Sequence, residues 1–368
     1  MFKAEELFQN ITDRNHPDET VLTIIQGKGT LPREQAGRNI HYDDASLSNY
    51  KKVEQGDFII HLRSFEGGLE MANEAGIVSP AYTILRCKRP HSSLFYDAYF
   101  HTDEFINHNL SKSVEGIRDG RQISYEAFKW LGIPYCEPTE QEKISTLFSA
   151  FNERIAKQRD LVESLKKYKR GVNNQILSQI DNSYNCRLGS VCEIVGGGTP
   201  DTLHAEYWGN TVEWFTPSEI GKTKYVNNSV RKLSDIGLDN SSAKLLPIGT
   251  VLLTTRATLG EMSIAKRECS TNQGFQSLIP HTDRVSSEYL YYMQIIIKPW
   301  CEKYASGNTF REISKSALSD CIIPIPDRAR QEQIVKLLSS IDMIIDAAES
   351  ISMSLSKIRH GLMQQLFI

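Results

Sequence analysis

Residues 139–177 read TEQEKISTLFSAFNERIAKQRDLVESLKKYKRGVNNQIL, and this stretch recurs near the end of the chain. Gln141-Glu142-Lys143-Ile144 aligns with Gln331-Glu332-Gln333-Ile334 at an offset of 190 residues, and the alignment continues to the last residue without a gap. Most apolar residues align with apolar residues, as Leu147 with Leu337 and Phe151 with Ile341. A match kept over about 37 positions is an internal repeat, so the chain consists of two related halves.

Both copies of the repeat predict long helices. With Ile144 and Ile334 at heptad position a, mostly apolar residues fall at a and d, and no proline interrupts either copy. This pattern predicts a coiled coil in which Gln175 and Gln365, at equivalent d positions, fix the register. Two ordinary amphipathic core helices are the alternative, but they leave the length unexplained. The residues assigned to helix pairing and partner docking are Leu147, Phe151, Leu161, Leu165, Leu337, Ile341, Ile351 and Leu355.

Antiparallel pairing suits the position of the two helices in the chain. A helix of about 37 residues is about 55 Å long. If the helices are antiparallel, the end of one lies beside the start of the other, and the domain between them closes that end. We therefore predict an α+β fold: two β-rich α/β domains joined by two long antiparallel coiled-coil helices, with a pseudo-twofold internal repeat. The predicted divisions are domain one at 1–138, helix one at 139–181, domain two at 182–328 and helix two at 329–368.

The two blocks that flank the first helix share a pattern of short strands. Predicted strands cover residues 20–25, 58–62 and 81–85 in the first block, and 251–255 and 274–279 in the second. Predicted helices lie near residues 97–109 and 287–297. The sequence from Gly56 to Arg63 aligns with that from Gly249 to Arg256 at an offset of 193. Because framework residues recur while the residues between them differ, we expect two readers with a common scaffold and separate targets.

Composition is that of a globular protein with buried cores: 40% of residues are hydrophobic and 24% are charged. The net charge of −3 is unusual for a protein that binds nucleic acid alone, although a local basic patch is what binding needs. No apolar run reaches the length of a membrane span, and the start lacks a signal-peptide core, so we expect a cytoplasmic protein. Seven cysteines without a C-x-x-C pair argue against a disulfide framework and a zinc site.

The second block carries short motifs in a fixed order: Leu188-Gly189 through Ile194, Gly197-Gly198-Thr199-Pro200, Glu206-Tyr207-Trp208-Gly209, Thr216-Pro217, Arg256-Ala257-Thr258-Leu259-Gly260, Asn272-Gln273-Gly274 and Ile313-Ser314. Together they resemble a target-recognition domain of the specificity subunit of type I restriction-modification systems. The resemblance covers nearly the whole chain, because that family alternates recognition domains with conserved helices. The first block departs from the pattern: it lacks Gly-Gly-Thr-Pro, and it resembles a different subclass of the same domain.

The resemblance implies a subunit that performs no chemistry and binds no cofactor itself. Each recognition domain would read one half of an asymmetric bipartite site in double-stranded DNA. The helices would set the spacer between the half-sites and dock two modification (methyltransferase) subunits. Those subunits would carry S-adenosylmethionine and flip the adenine. Restriction (translocase/nuclease) subunits would add ATP and Mg.

Candidate DNA contacts are side chains that can bind base edges or phosphates. Arg63 and Arg256 are the strongest, because both end a strand at a glycine-rich turn in equivalent positions. An arginine that only braces the turn, or a solvated surface residue, is the alternative. In the first block the candidates are Lys28, Arg33, Arg38, Arg63, Ser64, Arg118 and Arg121. In the second they are Thr199, Ser218, Lys222, Lys224, Tyr225, Arg256, Thr258 and Arg311.

Enzyme functions find little support in the sequence. The chain has no Pro-Pro for a methyltransferase motif, and no Asp-x-Lys or Glu-x-Lys for a common metal-dependent nuclease. Gly221-Lys222-Thr223 resembles the end of a P-loop, but the first glycine of that motif would fall at Thr216. A coiled-coil structural adaptor without sequence-specific DNA reading remains the alternative function.

Overall fold

The computed structural model describes residues 1–36, 44–116, 122–181, 184–307 and 311–367. The fold is α+β, as predicted, and the chain divides into two compact units. The first unit comprises Met1–Leu161 and Ala348–Ile368, and the second comprises Val162–Ala347. Each unit therefore contains one β-rich domain and the adjoining parts of both long helices.

The helices and strands alternate irregularly in both units. The helices are α1 Ala4–Leu7, α2 Ser64–Gly67, α3 Ser93–Phe100, α4 Tyr125–Phe128, α5 Pro138–Ser178, α6 Asp235–Asp239, α7 Ser287–Tyr292, α8 Gln294–Tyr304, α9 Lys315–Ser319 and α10 Arg328–Leu366. The strands of the first unit are β1 Phe2–Lys3, β2 Phe8–Ile11, β3 Leu22–Ile25, β4 Gly29–Pro32, β5 Lys51–Val53, β6 Phe58–Ile60, β7 Glu70–Met71, β8 Gly76–Val78, β9 Thr83–Cys87, β10 Val114–Glu115, β11 Gln122–Ile123 and β12 Gly132–Ile133. Those of the second unit are β13 Asn185–Arg187, β14 Cys192–Gly196, β15 Trp208–Phe215, β16 Tyr225–Val226, β17 Arg231–Leu233, β18 Val251–Leu253, β19 Met262–Ala265, β20 Cys269–Thr271, β21 Gln276–Pro280 and β22 Ile322–Pro324.

The two long helices are α5, with 41 residues, and α10, with 39. In the first unit, Phe148 near the start of α5 packs with Met363 and Phe367 near the end of the chain. In the second unit, Ile176 near the end of α5 packs with Ile334 near the start of α10. Within each unit the helices are thus antiparallel, as predicted. Among the described residues, no helix is both long and apolar enough to cross a membrane.

The seam between the helices differs from the predicted a/d seam. Residues at position a are buried, for example Ile334 and Ile341. The second buried row is position e, for example Leu338, and not the predicted position d. The d row faces outward, with 40 to 61% exposure at its apolar residues. The physical reason is that apolar residues occupy a, d and e, a stripe too wide for one seam. Of the predicted pairing residues, Phe151, Leu165, Ile341 and Leu355 are buried or half-buried, whereas Leu147, Leu161, Leu337 and Ile351 are exposed. Gln175 and Gln365 are exposed too, so the prediction that they fix the register from the core is wrong.

The central sheets of the two units repeat each other. The first unit has the strand order β2-β9-β6-β7, and the second has β14-β21-β18-β19-β16. Phe58 pairs with Leu85 just as Val251, 193 residues later, pairs with Leu278. The pairing of Ile59 with Glu70 likewise recurs as Leu252 with Ser263. Identical register at a constant offset means that the domains share one framework.

The remaining predicted elements are close to the observed ones. Residues 58–60 and 251–253 are strands, and the predicted helix near 287–297 is α7 followed by α8. The predicted helix at 97–109 begins earlier, at Ser93, and its end is a separate turn of π-helix at Glu104–Asn109. Short ladders join the start and end of each domain, because Phe2 pairs with Ile133 and Cys186 pairs with Ile323.

Candidate nucleic-acid interface

A strained loop presents Arg256 at the end of strand β18. The loop runs from Thr254 to Glu261, where the chain turns back into β19, and the Glu261 carbonyl accepts the N–H of Thr254 at 3.0 Å. Ala257 adopts a left-handed φ of 61°, and Gly260 one of 78°. A residue with a Cβ rarely adopts such a conformation, and backbone strain of this kind concentrates at functional sites.

The Arg256 guanidinium is held at one end and open at the other. Its Nη2 donates to the Gln273 carbonyl at 3.1 Å and to Glu312 Oε1 at 3.3 Å. Its Nε is buried without an acceptor among the described residues, while the side chain as a whole is 37% exposed. Since guanidinium carries five N–H donors, the group keeps donors for a ligand after bracing the loop.

Four other predicted residues of the second domain gather around Arg256. Thr199 donates its hydroxyl to the side chain of Gln273, whose carbonyl binds Arg256. Thr258 donates to the Pro217 carbonyl at 3.3 Å, beside the exposed Ser218. Arg311 donates to the Glu302 carbonyl and lines an open cleft together with Thr258 and Lys298. These hydroxyls and guanidiniums form one polar surface, which suits contact with a polyanion.

Lys224 and Tyr225 lie elsewhere. Lys224 Nζ donates to the Tyr292 hydroxyl and to Ser339 Oγ, both at 3.0 Å, and burial lowers the pKa of this ammonium. Tyr225 donates its hydroxyl to Glu288 at 3.4 Å, and burial raises its pKa. Lys224, directly before strand β16, thus contacts Tyr292 of α7 and Ser339 of α10 within the second unit, and its role as a DNA contact stays a prediction. Lys222 is exposed.

In the first domain, the equivalent loop follows strand β6. Arg63 is exposed just before α2. Ser64 is fully buried, and its hydroxyl accepts the His61 N–H at 2.9 Å, so this candidate is engaged within the loop rather than presented to a ligand. Lys28 is exposed at the tip of the β3–β4 hairpin, and Arg33 is half-buried in the turn that follows β4. Arg38, Arg118 and Arg121 lie outside the described residues.

Sequence reasoning missed the acidic and amide partners that position these groups. Glu312 holds Arg256, and Glu70 holds the turn that carries Lys28. Glu312 stands beside the Ile313-Ser314 motif, so its position in the sequence was a usable signal. Glu70 lies in no motif and is found only through the sheet register. Among the described residues, His, Cys, Asp and Glu form no group of three or more that could hold a metal ion.

Comparison with known proteins gives consistent matches. Residues 180–355 match the family model described as Type I restriction modification DNA specificity domain. The Type I restriction enzyme MjaIX specificity subunit of Methanocaldococcus jannaschii is 34% identical over 186 residues, 50% of this chain and 43% of that protein. The Type I restriction enzyme EcoR124I/EcoR124II specificity subunit of Escherichia coli is 24% identical over 259 residues, 66% of this chain and 63% of that protein. The chain therefore spans less than two thirds of the length of these relatives.

A solved structure shares the fold over nearly the full length. It comes from work on complex assembly and conformational transition of the type I R-M system. The TM-score is 0.62 at 19% identity, and the match covers 99% of this chain and 96% of that chain. Both domains and both long helices are thus within the shared fold.

Proposed function

We propose that the chain is the DNA sequence-specificity subunit of a type I restriction-modification complex, because residues 180–355 match the family model described as Type I restriction modification DNA specificity domain. The observation that carries this proposal is the repeated sheet register. Two domains share one framework at an offset of 193 residues, while the loops after the equivalent strands β6 and β18 differ in sequence. A common framework with different contact loops suits two readers of different half-sites, so the target is asymmetric and bipartite.

The two long helices supply the spacer and the docking surface. The helices pair antiparallel within each unit, and we infer that in the complex they would set the half-site spacing, as dimer geometry does in other DNA-binding proteins. The outward d row supports docking: Leu337, Ile344, Ile351 and Ile358 follow one line on α10, each about half exposed. An apolar row of this length on a helix favours a helical partner. We assign it to two modification subunits.

In the assembled complex the chain would read double-stranded DNA and leave the chemistry to its partners. The modification subunits would hold S-adenosylmethionine, and the restriction subunits would use ATP and Mg. In the second domain, the polar surface around Arg256 would contact one half-site. In the first domain, Arg63 and Lys28 would contact the other.

Methylation mapping tests this function directly. The chain is expressed in cells together with its modification subunit, and methylated adenines are located by sequencing of the cellular DNA. The expected result is a split motif, two short specified parts with a fixed gap. A continuous motif, or no methylation although both proteins are soluble and associated, would instead favour a structural adaptor.

A further inference from the structure

Each domain carries a glycine-lysine turn at the same place in its framework. Gly27-Lys28 follows strand β3 and Gly221-Lys222 follows strand β15, with φ of 73° and 85° at the two glycines. The preceding residues occupy equivalent positions, because Val21 bridges Ile77 just as Trp214 pairs with Ser270, 193 residues later. Both lysines are exposed. Neither ammonium has an ion-pair partner in the part of the chain that the structure describes.

In each domain, the residue at the same position of the shared framework holds the lysine turn. That residue is of a different type in the two domains. In the first domain, Glu70 accepts the N–H of Gly27 at 2.6 Å and that of Gly29 at 2.9 Å. The carboxylate therefore binds the backbone on both sides of Lys28. Glu70 is fully buried, and His101 Nε2 lies 3.4 Å from it.

In the second domain the corresponding residue is Ser263, 193 positions after Glu70. Its hydroxyl accepts the Gly221 N–H at 3.2 Å and donates to the Thr223 carbonyl at 2.7 Å, again on both sides of the lysine. Ser263 is fully buried as well. The same geometry reached with a carboxylate in one domain and a hydroxyl in the other indicates that the shape of the turn is what both domains need.

Each lysine turn also lies against the arginine loop of its own domain. Gly67, in the loop after Arg63, packs on Gln26 so closely that a Cβ would collide with the Gln26 amide. A Cβ added to Gly221 would lie 2.7 Å from Glu261 Oε2, at the end of the Arg256 loop. In both domains, therefore, the lysine turn and the arginine loop lie side by side.

We propose that Lys28 and Lys222 are equivalent DNA-phosphate contacts, and that Glu70 and Ser263 are the positioning residues that aim them. This inference rests on the proposed function, since it names how each reader is seated on its half-site. Glu70 and Ser263 already accept the N–H groups of Gly27, Gly29 and Gly221, so these backbone groups cannot bind an anion. What each turn offers is a single ammonium. A flexible point charge suits a phosphate, whereas the planar arginine beside it suits a base edge.

The test measures DNA binding by the full chain assembled with its modification subunits. Two probes are used, a duplex that carries the mapped methylation site and a random-sequence duplex, and the affinity is followed over a range of salt concentration. Lys28→Ala and Lys222→Ala should each lower the slope of log affinity against log salt by about 0.9, equally on both duplexes. Lys336→Ala removes an exposed charge from α10 and serves as the matched control, with an unchanged slope.

The outcomes separate the two proposals. If wild type prefers the mapped duplex but neither lysine variant changes the slope, or if Lys336→Ala changes it equally, the phosphate assignment is wrong while the specificity function stands. If wild type binds both duplexes alike, both proposals fall. A loss confined to the mapped duplex would make the lysines base contacts and also overturn the assignment.

A double-mutant cycle tests the positioning residues. Ser263→Ala should weaken binding several-fold and lower the salt slope, yet cause no further loss in a Lys222→Ala background, because the serine acts through that lysine. Ser263→Thr keeps the hydroxyl and should restore binding. Combining Ser263→Ala with Lys28→Ala, in the other domain, should give additive losses. Additive losses within the second domain as well would overturn the positioning role, and Glu70→Gln with Lys28→Ala repeats the cycle in the first.

Discussion

Gln158 in α5 donates its side-chain amide to the backbone carbonyl of Ala348 in α10 at 3.0 Å, and Ala348 is the residue that the 190-residue offset makes its own repeat counterpart. Antiparallel pairing of two equivalent helices requires such a self-facing position at one point along the seam. Both residues are buried, at about 5% exposure. We therefore expect the polar residue that fixes the register of these helices to be Gln158, and not the exposed Gln175 or Gln365.

Gln158→Ala should lower the free energy of unfolding by about 1 kcal/mol, the net value of one hydrogen bond. Chemical denaturation measures this as a shift of the unfolding midpoint. Gln175→Ala changes the same residue type at an exposed position and should leave the midpoint unchanged. Equal shifts in the two variants would contradict a register role for Gln158.

A second pair of equivalent glutamines ties the helices to the domains. Gln331 Oε1 accepts the Ser286 N–H at 3.2 Å, and its Nε2 donates to the Arg284 and Pro326 carbonyls at 2.8 and 2.9 Å. Gln141, 190 residues earlier, accepts the Ser92 N–H and donates to the Cys136 carbonyl in the same way.

Gln331→Ala should destabilise the second unit by about 2 kcal/mol, because buried backbone groups lose their partners. The hydrogen-exchange rate of the amides at the start of α7 should rise in the same variant. Gln333→Ala, at an exposed position two residues away, is the control. Unchanged exchange in Gln331→Ala would show that the capping bonds contribute little.

The sequence was sufficient to predict what depends on repetition. The offset of 190 predicts two helices, and the alignment of Arg63 with Arg256 correctly places both at the ends of equivalent strands. The repeat also identifies Gln141 and Gln331 as an equivalent pair. Their hydrogen bonds to backbone groups, however, are visible only in the folded structure. Identity of register between the two sheets, by contrast, is visible only in the strand pairing.

The burial and contacts of other residues depend on which of several similar surfaces is covered in the folded protein. The sequence pattern does not show which surface that is. Leu337 at d and Leu338 at e are both apolar, and only packing shows that the second is in the seam. Lys224 and Lys222 are both basic residues near a glycine turn. Tyr292 and Ser339 accept hydrogen bonds from the ammonium of Lys224 and not from that of Lys222. Ser64 lies beside Arg63 in sequence, yet the turn buries it.

The exposed d row of α10 should separate folding from assembly. Ile351→Asp places a charge on an already exposed position and should change the free energy of unfolding by no more than about 0.5 kcal/mol. It should nevertheless abolish co-purification with the modification subunit. Ile341→Asp buries an unpaired charge in the core and should unfold the second unit. If Ile351→Asp assembles normally, this row is not the docking surface.

We expect His101 to make the stability of the first unit depend on pH. Burial opposes the charged form of His101, but the hydrogen bond to Glu70 and the charge of Asp97 outweigh it, so the pKa of His101 is raised. A raised histidine pKa means a contribution that is complete below the unfolded-state value of about 6.5 and is lost as the pH rises through the folded-state value. Burial likewise opposes ionisation of Glu70, but its hydrogen bonds prevail and lower its pKa, so its contribution is lost only at acidic pH.

We therefore expect the stability difference between wild type and His101→Gln to be largest between about pH 4.5 and 6.5, and to shrink as the pH rises above that range. The size should be about 1 kcal/mol, as for a hydrogen bond to a charged partner that is partly exposed. Denaturant melts at a series of pH values measure it. A His101→Gln difference that is constant with pH would exclude the Glu70–His101 pair as its source.

Substitution of Arg256 distinguishes two roles for this residue, a contact with a DNA base and a structural brace of its loop. The two roles predict different results. If its free donors contact a base edge, Arg256→Ala costs about 1 to 3 kcal/mol of discrimination and relaxes one half of the methylated motif, the half read by the second domain. Arg63→Ala is the matched variant in the first domain and should relax the other half alone. If Arg256 only braces its loop through Gln273 and Glu312, then Glu312→Gln should reproduce its effect on stability and neither variant should change the motif. An equal loss of methylation at all sites would make Arg256 a phosphate contact, and sequencing of methylated DNA from cells that express each variant distinguishes these results.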